Sequence, residues 1–217
     1  MNYTKLAIIG TAGRKEDQAM LTAAHYTRMV DAVVKFMGHV NIDPQMLHLY
    51  SGGAAWADHL AVTLTLMGVV PYSNLTIFLP AILEADGFVG ANEYLEKVAG
   101  TANYYHRLFF QKTGHNGIQD LLTVREKGAV MDPGKSGFKT RNTQVARALD
   151  DDGTLLAFTF GSPESTQPVW TIRSFPMDTK ADIAGLKDGG TADTFNKAKC
   201  PKHHARLGPM DHDYLSI

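Results

Sequence analysis

Lys5-Leu6-Ala7-Ile8-Ile9-Gly10-Thr11-Ala12-Gly13-Arg14 is the stretch on which the architecture turns. Residues 5–9 form a short, nearly unbroken apolar run, the pattern of a strand buried on both faces, and Gly10 ends it. From 16 to 37 the residues Met20, Ala23, Ala24, Met29, Val33 and Phe36 recur at helical spacing, with Gly38 as the stop. The unit then repeats. Residues 46–50 read as a strand, Ser51-Gly52-Gly53-Ala54 as its turn, and 54–67 as a helix closed by Gly68. Residues 75–79 are a third strand, stopped by Pro80. Strand, glycine turn and helix in succession specify an α/β fold: a Rossmann-like, doubly wound, mainly parallel sheet with helices on both faces.

Helical patterns over 92–110 and 118–129 interrupt this alternation, so a helical insertion is expected at about 92–136, within one domain spanning 1–217. It ends in the loop Asp132-Pro133-Gly134-Lys135-Ser136-Gly137. Beyond it the pattern predicts a helix over 138–149 and a strand over 155–160 ending at Gly161. A further strand is expected at 169–173, a helix at 194–198 and a final edge strand at 203–207.

The chain has 217 residues, enough for a sizeable core, and a formal net charge of −1. That balance disfavours a protein that coats nucleic acid. The single cysteine, Cys200, allows no intrachain disulfide. Residues 59–83 are the most apolar later segment, but Gly68, Pro71, Ser73 and Asn74 divide them, which argues against a membrane span. The early strand likewise lacks the build of a signal peptide. A cytoplasmic location without a membrane partner is expected.

Three turns have the composition of phosphate cradles: Gly10-Thr11-Ala12-Gly13-Arg14, Ser51-Gly52-Gly53-Ala54, and Asp188-Gly189-Gly190-Thr191-Ala192-Asp193-Thr194. Glycines let the backbone approach a ligand, and a helix that follows directs exposed amides and the positive end of its dipole at an anion. Thr11, Ser51 and Thr191 add hydroxyls, while Arg14 and Arg141 offer guanidinium forks that match a phosphate. Asp58, in the first turn after the second cradle, either complements the helix dipole or takes a ribose hydroxyl or Arg14. In an open parallel sheet, such turns meet outside the carboxyl ends of the strands.

The ordered set of these turns, with Ala55-Trp56-Ala57-Asp58 after the second and Arg141-Asn142 before residues 155–158, resembles the SLOG superfamily, named for Smf and Lonely Guy proteins. The likeness is greatest to its smaller YspA-like and phage-type members. It implies a Rossmann-like fold whose strand-end loops bind a nucleotide or nucleotide-derived ligand. Gly10, Thr11, Arg14, Ser51, Gly52, Gly53, Asp58, Asn142, Gly189, Gly190 and Thr191 are then the binding residues. Lonely Guy phosphoribohydrolases resemble Pro-Gly-Gly-x-Gly-Thr-x-x-Glu, whose glutamate serves glycosidic cleavage. Thr194 stands at that glutamate's place, leaving Asp193, or Glu16, Asp17, Glu84 or Asp86, to supply a carboxylate.

The resemblance therefore implies one of two functions. The first is cleavage of the N-glycosidic bond of a nucleoside monophosphate, with Asp193 and Arg141 as catalytic residues. The second is non-catalytic sensing or sequestering of a nucleotide or ADP-ribose-like signal. No cofactor is expected. Cys200, His203, His204 and His212 have ligand-type side chains, but without a second cysteine pair they read as ordinary histidines, and no metal is assigned. Tyr104, Tyr105, His106 and Arg107 on the inserted helix either stack a base or pack inward. Leu108, Phe109 and Phe110 on the same helix suggest a homo-oligomer, because a small domain has limited room to bury them. Trp56 stacks on a base or packs against a neighbouring helix, and packing is the favoured reading.

Overall fold

The computed structural model describes residues 3–132, 137–149, 152–187 and 189–210. At its centre lies β1 (Lys5–Gly10), parallel on one side to β2 (His48–Ser51) and on the other to β7 (Gly153–Thr159). Between β1 and β2 run α1 (Glu16–Met20) and α2 (Ala23–His39). From β2, α3 (His59–Leu66) leads to β3 (Leu75–Phe78). A small hairpin, β4 (Ile82–Glu84) and β5 (Gly87–Val89), then α4 (Glu93–Thr113) and α5 (Gly117–Glu126), lead to β6 (Val130–Asp132), parallel to β3. The chain then crosses back through α6 (Gly137–Arg147) to β7. It ends with β8 (Ile172–Phe175), α7 (Gly190–Lys197) and β9 (Lys202–Arg206). The seven-stranded order is β6-β3-β2-β1-β7-β9-β8, parallel except for β8.

Alternation along β1 divides the core in two, as pleating requires. Leu6 and Ile8 face a layer built with α2, α3, α4 and α5, where Met29, Leu60, Phe109 and Leu121 are fully buried. Ala7 and Ile9 face the opposite layer, with Val145 and Ala146 of α6 and Phe195 of α7. The expected α/β sheet with helices on both faces is thus present. The helices of the expected insertion share the larger core with β1, so they complete a strand–helix–strand crossover from β3 to β6.

Several expectations are corrected. Residues 16–37 are two helices, not one: Leu21 is extended (φ −70°, ψ 133°) and fully buried, and Thr22 opens the second helix. The break is held because Lys112 of α4 donates to the carbonyls of Gln18 and, at 2.8 Å, Leu21. The helix expected from 194 begins at Gly190. The strand at 203–207 is no edge. β9 lies inside the sheet between β7 and β8, and its polar residues are buried with partners that the sequence does not announce. Lys202 donates to Thr179 O at 3.0 Å and lies over the Phe195 ring, while His204 bonds Thr159. β8 starts three residues later than expected and is the true edge.

In the aromatic run of α4, Phe109 is fully buried against Tyr26 and Trp56, at 4.9 and 5.1 Å between ring centroids. Leu108 is half-buried and Phe110 half-exposed. No described helix is long and apolar enough to cross a membrane. The loop expected at 132–137 lies outside the described residues over 133–136, as do Asp188 and His212.

Candidate functional site

Strand order reverses between β1 and β7, where the chain leaves the centre in one direction and returns in the other. A crevice outside the carboxyl ends of the strands is the consequence of such a reversal. Here it is a cleft of about 440 Å³, within the usual range for small-ligand sites. Ten of the thirteen expected site residues line it: Gly10, Thr11, Arg14, Gly52, Asp58, Arg141, Asn142, Gly189, Gly190 and Thr191.

The strand ends share one local device. At the ends of β1, β2 and β7, a hydroxyl accepts the amide of a glycine two residues on: Gly13 N to Thr11 Oγ1 (3.1 Å), Gly53 N to Ser51 Oγ (3.1 Å), Gly161 N to Thr159 Oγ1 (3.0 Å). Such side chain-to-backbone bonds turn the chain sharply out of the sheet. They also commit the hydroxyls inward. Ser51 is fully buried and donates to Asp58 O at 2.7 Å, so it and Gly53 stand behind the cleft wall. Thr11 donates to Asp17 Oδ2 at 2.6 Å, and Lys187 holds the other Asp17 oxygen at 2.6 Å.

A belt of hydrogen bonds joins the loops around the cleft. Arg141 on α6 donates to Gly52 O (3.0 Å) and, through two nitrogens, to Asn142 Oδ1 (2.8 and 3.2 Å). Asn142 Nδ2 donates to Gly190 O (3.3 Å), and Thr191 Oγ1 donates to Gly10 O (2.8 Å). Asp58 stands beside this chain of bonds, its Oδ2 3.6 Å from Arg141 Nη1, and the nearby backbone of Ala54, Gly10 and Gly52 favours its ionised form. The elements meet so closely that side chains would not fit. A Cβ on Gly10 would sit 2.2 Å from Phe158 O, and one on Gly52 2.6 Å from Asp58 Oδ2. These two glycines serve loop packing. Gly190 differs, because a Cβ there would meet only Asn142 Nδ2, at 3.4 Å.

The electrostatics follow from burial. Desolvation raises the Asp58 pKa against the pull of Arg141 and the amides, and desolvation likewise lowers that of Arg141. Asp193 is differently placed from expectation: it lies outside the cleft lining, between Lys197 (2.8 Å) and Asn142 (3.3 Å). Burial opposes its ionisation, but those two partners hold its pKa below the ordinary value. Thr194, at the place of the glutamate, is buried and donates to Gly190 O at 3.0 Å. The carboxylates that line the cleft among the described residues are Glu16, Asp17 and Asp58.

Arg14 is exposed in the cleft mouth. Trp56 is buried against Tyr26 and Phe109, as its packing role required. His203 and His204 project from opposite faces of β9, and Cys200 is buried. Among the described residues no group of three or more His, Cys, Asp or Glu side chains is placed to hold a metal. Lys15, Phe138, Thr159 and Lys187 also line the cleft and were not singled out from sequence. Only Thr159 and Lys187 carried a signal: Thr159 heads a Thr-Phe-Gly strand end, and Lys187 adjoins the third glycine turn.

No family model matches this chain, and no solved structure matches it. It is similar to Uncharacterized protein R261 of Acanthamoeba polyphaga mimivirus, 28% identical over 206 residues, which cover 92% of this chain and 93% of that protein.

Proposed function

We propose that the cleft binds a nucleotide or nucleotide-derived ligand by its phosphate and holds it without breaking the glycosidic bond. The observation that carries this reading is the convergence of strand-end loops from β1 and β2, the Arg141–Asn142 pair and the first turn of α7 on one cleft. The first-turn amides of α7 have no intrahelical acceptor, and no side chain caps them, so an anion there gains donors and the helix dipole. Arg14 and Lys15 add two cations to the cleft lining. The resemblance to SLOG proteins points to the same ligand class.

Binding is favoured over cleavage by the position of Asp193 outside the cleft lining and by Thr194 in place of the glutamate. Cleavage remains the second reading because Asp17 and Asp58 line the cleft. The purified protein should bind nucleoside monophosphates in calorimetry and return them intact, with no free base on chromatography. Base release above that of a protein-free control overturns the binding-only reading. Gly190→Val, which places a branched side chain in the cleft, should weaken phosphate-bearing ligands about tenfold or more. Unchanged affinity in that variant overturns the phosphate turn itself.

A further inference from the structure

Between α4 and α6 the guanidinium of Arg14 lies over two rings, 5.2 Å from the Tyr105 centroid and 5.0 Å from that of Phe138. Behind it is a small pouch that shares Ala12, Arg14, Ala54, Phe138 and Arg141 with the main cleft and adds Tyr105 and Pro80. The pouch alone holds about 10 Å³, no more than a water. A larger group enters only by displacing Arg14.

From this arrangement we infer that the Tyr105–Phe138 slot is the base-binding subsite, which a nucleobase enters as Arg14 swings onto the ligand's phosphate. The inference rests on the nucleotide reading above and deepens it. A guanidinium is planar and delocalised, so a place that receives it between aromatic faces also suits a planar base. Arg14 is exposed, and an exposed cation–π contact is weaker than the stacking of a base on an aromatic side chain. Arg14 moreover lines both cavities, so its outward position retains a charge-assisted partner once a phosphate is bound. The rings are themselves braced: Tyr104 meets Tyr105 edge-on at 5.1 Å, and Arg141 lies 5.6 Å from the Phe138 centroid. Recognition by stacking separates nucleotides from sugar phosphates while tolerating different bases.

The test is calorimetric titration of the whole chain with adenosine 5′-monophosphate, adenosine and ribose 5-phosphate. Wild type should bind the nucleotide at least about tenfold tighter than ribose 5-phosphate. Tyr105→Leu and Phe138→Leu should each lose about tenfold for the nucleotide and leave ribose 5-phosphate unchanged. Tyr105→Phe, which keeps the ring, should retain wild-type affinity and serves if either leucine variant does not fold. The slot is overturned if wild type binds nucleotide no tighter than ribose 5-phosphate. It is also overturned if the leucine variants bind the nucleotide as wild type does, or weaken both ligands equally; the phosphate reading survives these results. Adenosine 5′-monophosphate binding that needs Tyr105 but ignores Gly190→Val overturns the phosphate reading and keeps the slot. Failure of all three ligands to bind overturns both.

Discussion

Asp58 and Arg141 show how a residue read as a site residue is also part of the frame. Both are largely buried, at 6% and 11% side-chain exposure, and Arg141 ties the Gly52 loop to Asn142 while lying 3.6 Å from Asp58. Removing one partner of such a pair leaves a buried charge uncompensated. Arg141→Met should therefore destabilise the fold by about 3 kcal/mol in urea denaturation. A loss below about 1 kcal/mol would show that the belt contributes little. The sequence made Thr11 and Ser51 visible as hydroxyls at strand ends but did not say which way they turn. A hydroxyl followed two residues later by glycine can serve a ligand or its own backbone, and local bonding decides that choice. Ser51→Ala removes both its bonds in a fully buried place and should cost about 1–3 kcal/mol without abolishing ligand binding, measured by denaturation and calorimetry.

At the level of elements, the central strands were legible because an uninterrupted apolar run has few other uses, and β1 and β7 lie where the runs at 5–9 and 155–160 placed them. β9 was legible as a strand and not as an interior one, since Lys202, His203 and His204 look polar until their partners are known. The break between α1 and α2 depends on Lys112, more than ninety residues away, and so left no local trace. The buried histidines give β9 and α4 a pH response. Burial depresses His106, His203 and His204 to about 4 from an ordinary 6.5. Their neutral forms fit the fold fully above pH 6.5, and the unfolded chain gains protons first as pH falls towards 4. Stability should therefore drop across that interval, by up to about 1.4 kcal/mol per pH unit for each histidine. Asp58, with its raised pKa, acts in the opposite direction, but burial lowers His25 and His59 as well, so it is one group against five. Denaturant midpoints at pH 7.5 and pH 5 check this, and equal midpoints would refute it.

For the molecule as a whole, the sheet order determines the place of the cleft, and the two cores hold its walls apart. β1 contributes to both cores; the larger supports α3 and α4, and the smaller supports α6 and α7. Ligand that bridges walls belonging to different cores should stabilise the entire fold. A nucleotide at a hundred times its dissociation constant adds about 2.7 kcal/mol, which for a chain of this size raises the melting temperature by about 5–10 °C. Gly190→Val, with its tenfold weaker binding, should cut the stabilisation to about 1.4 kcal/mol at the same ligand concentration, and an undiminished shift would place the ligand elsewhere.

The belt around the cleft links residues far apart along the chain: Arg141 to Gly52 across 89 positions and Thr191 to Gly10 across 181. A chain still emerging from the ribosome cannot close it until Thr191 has been made and α7 has docked beside β1. The pocket therefore comes into being only after everything from Gly10 to Thr191 has been made, and a bound nucleotide would mark a chain assembled at least that far rather than guide a shorter one.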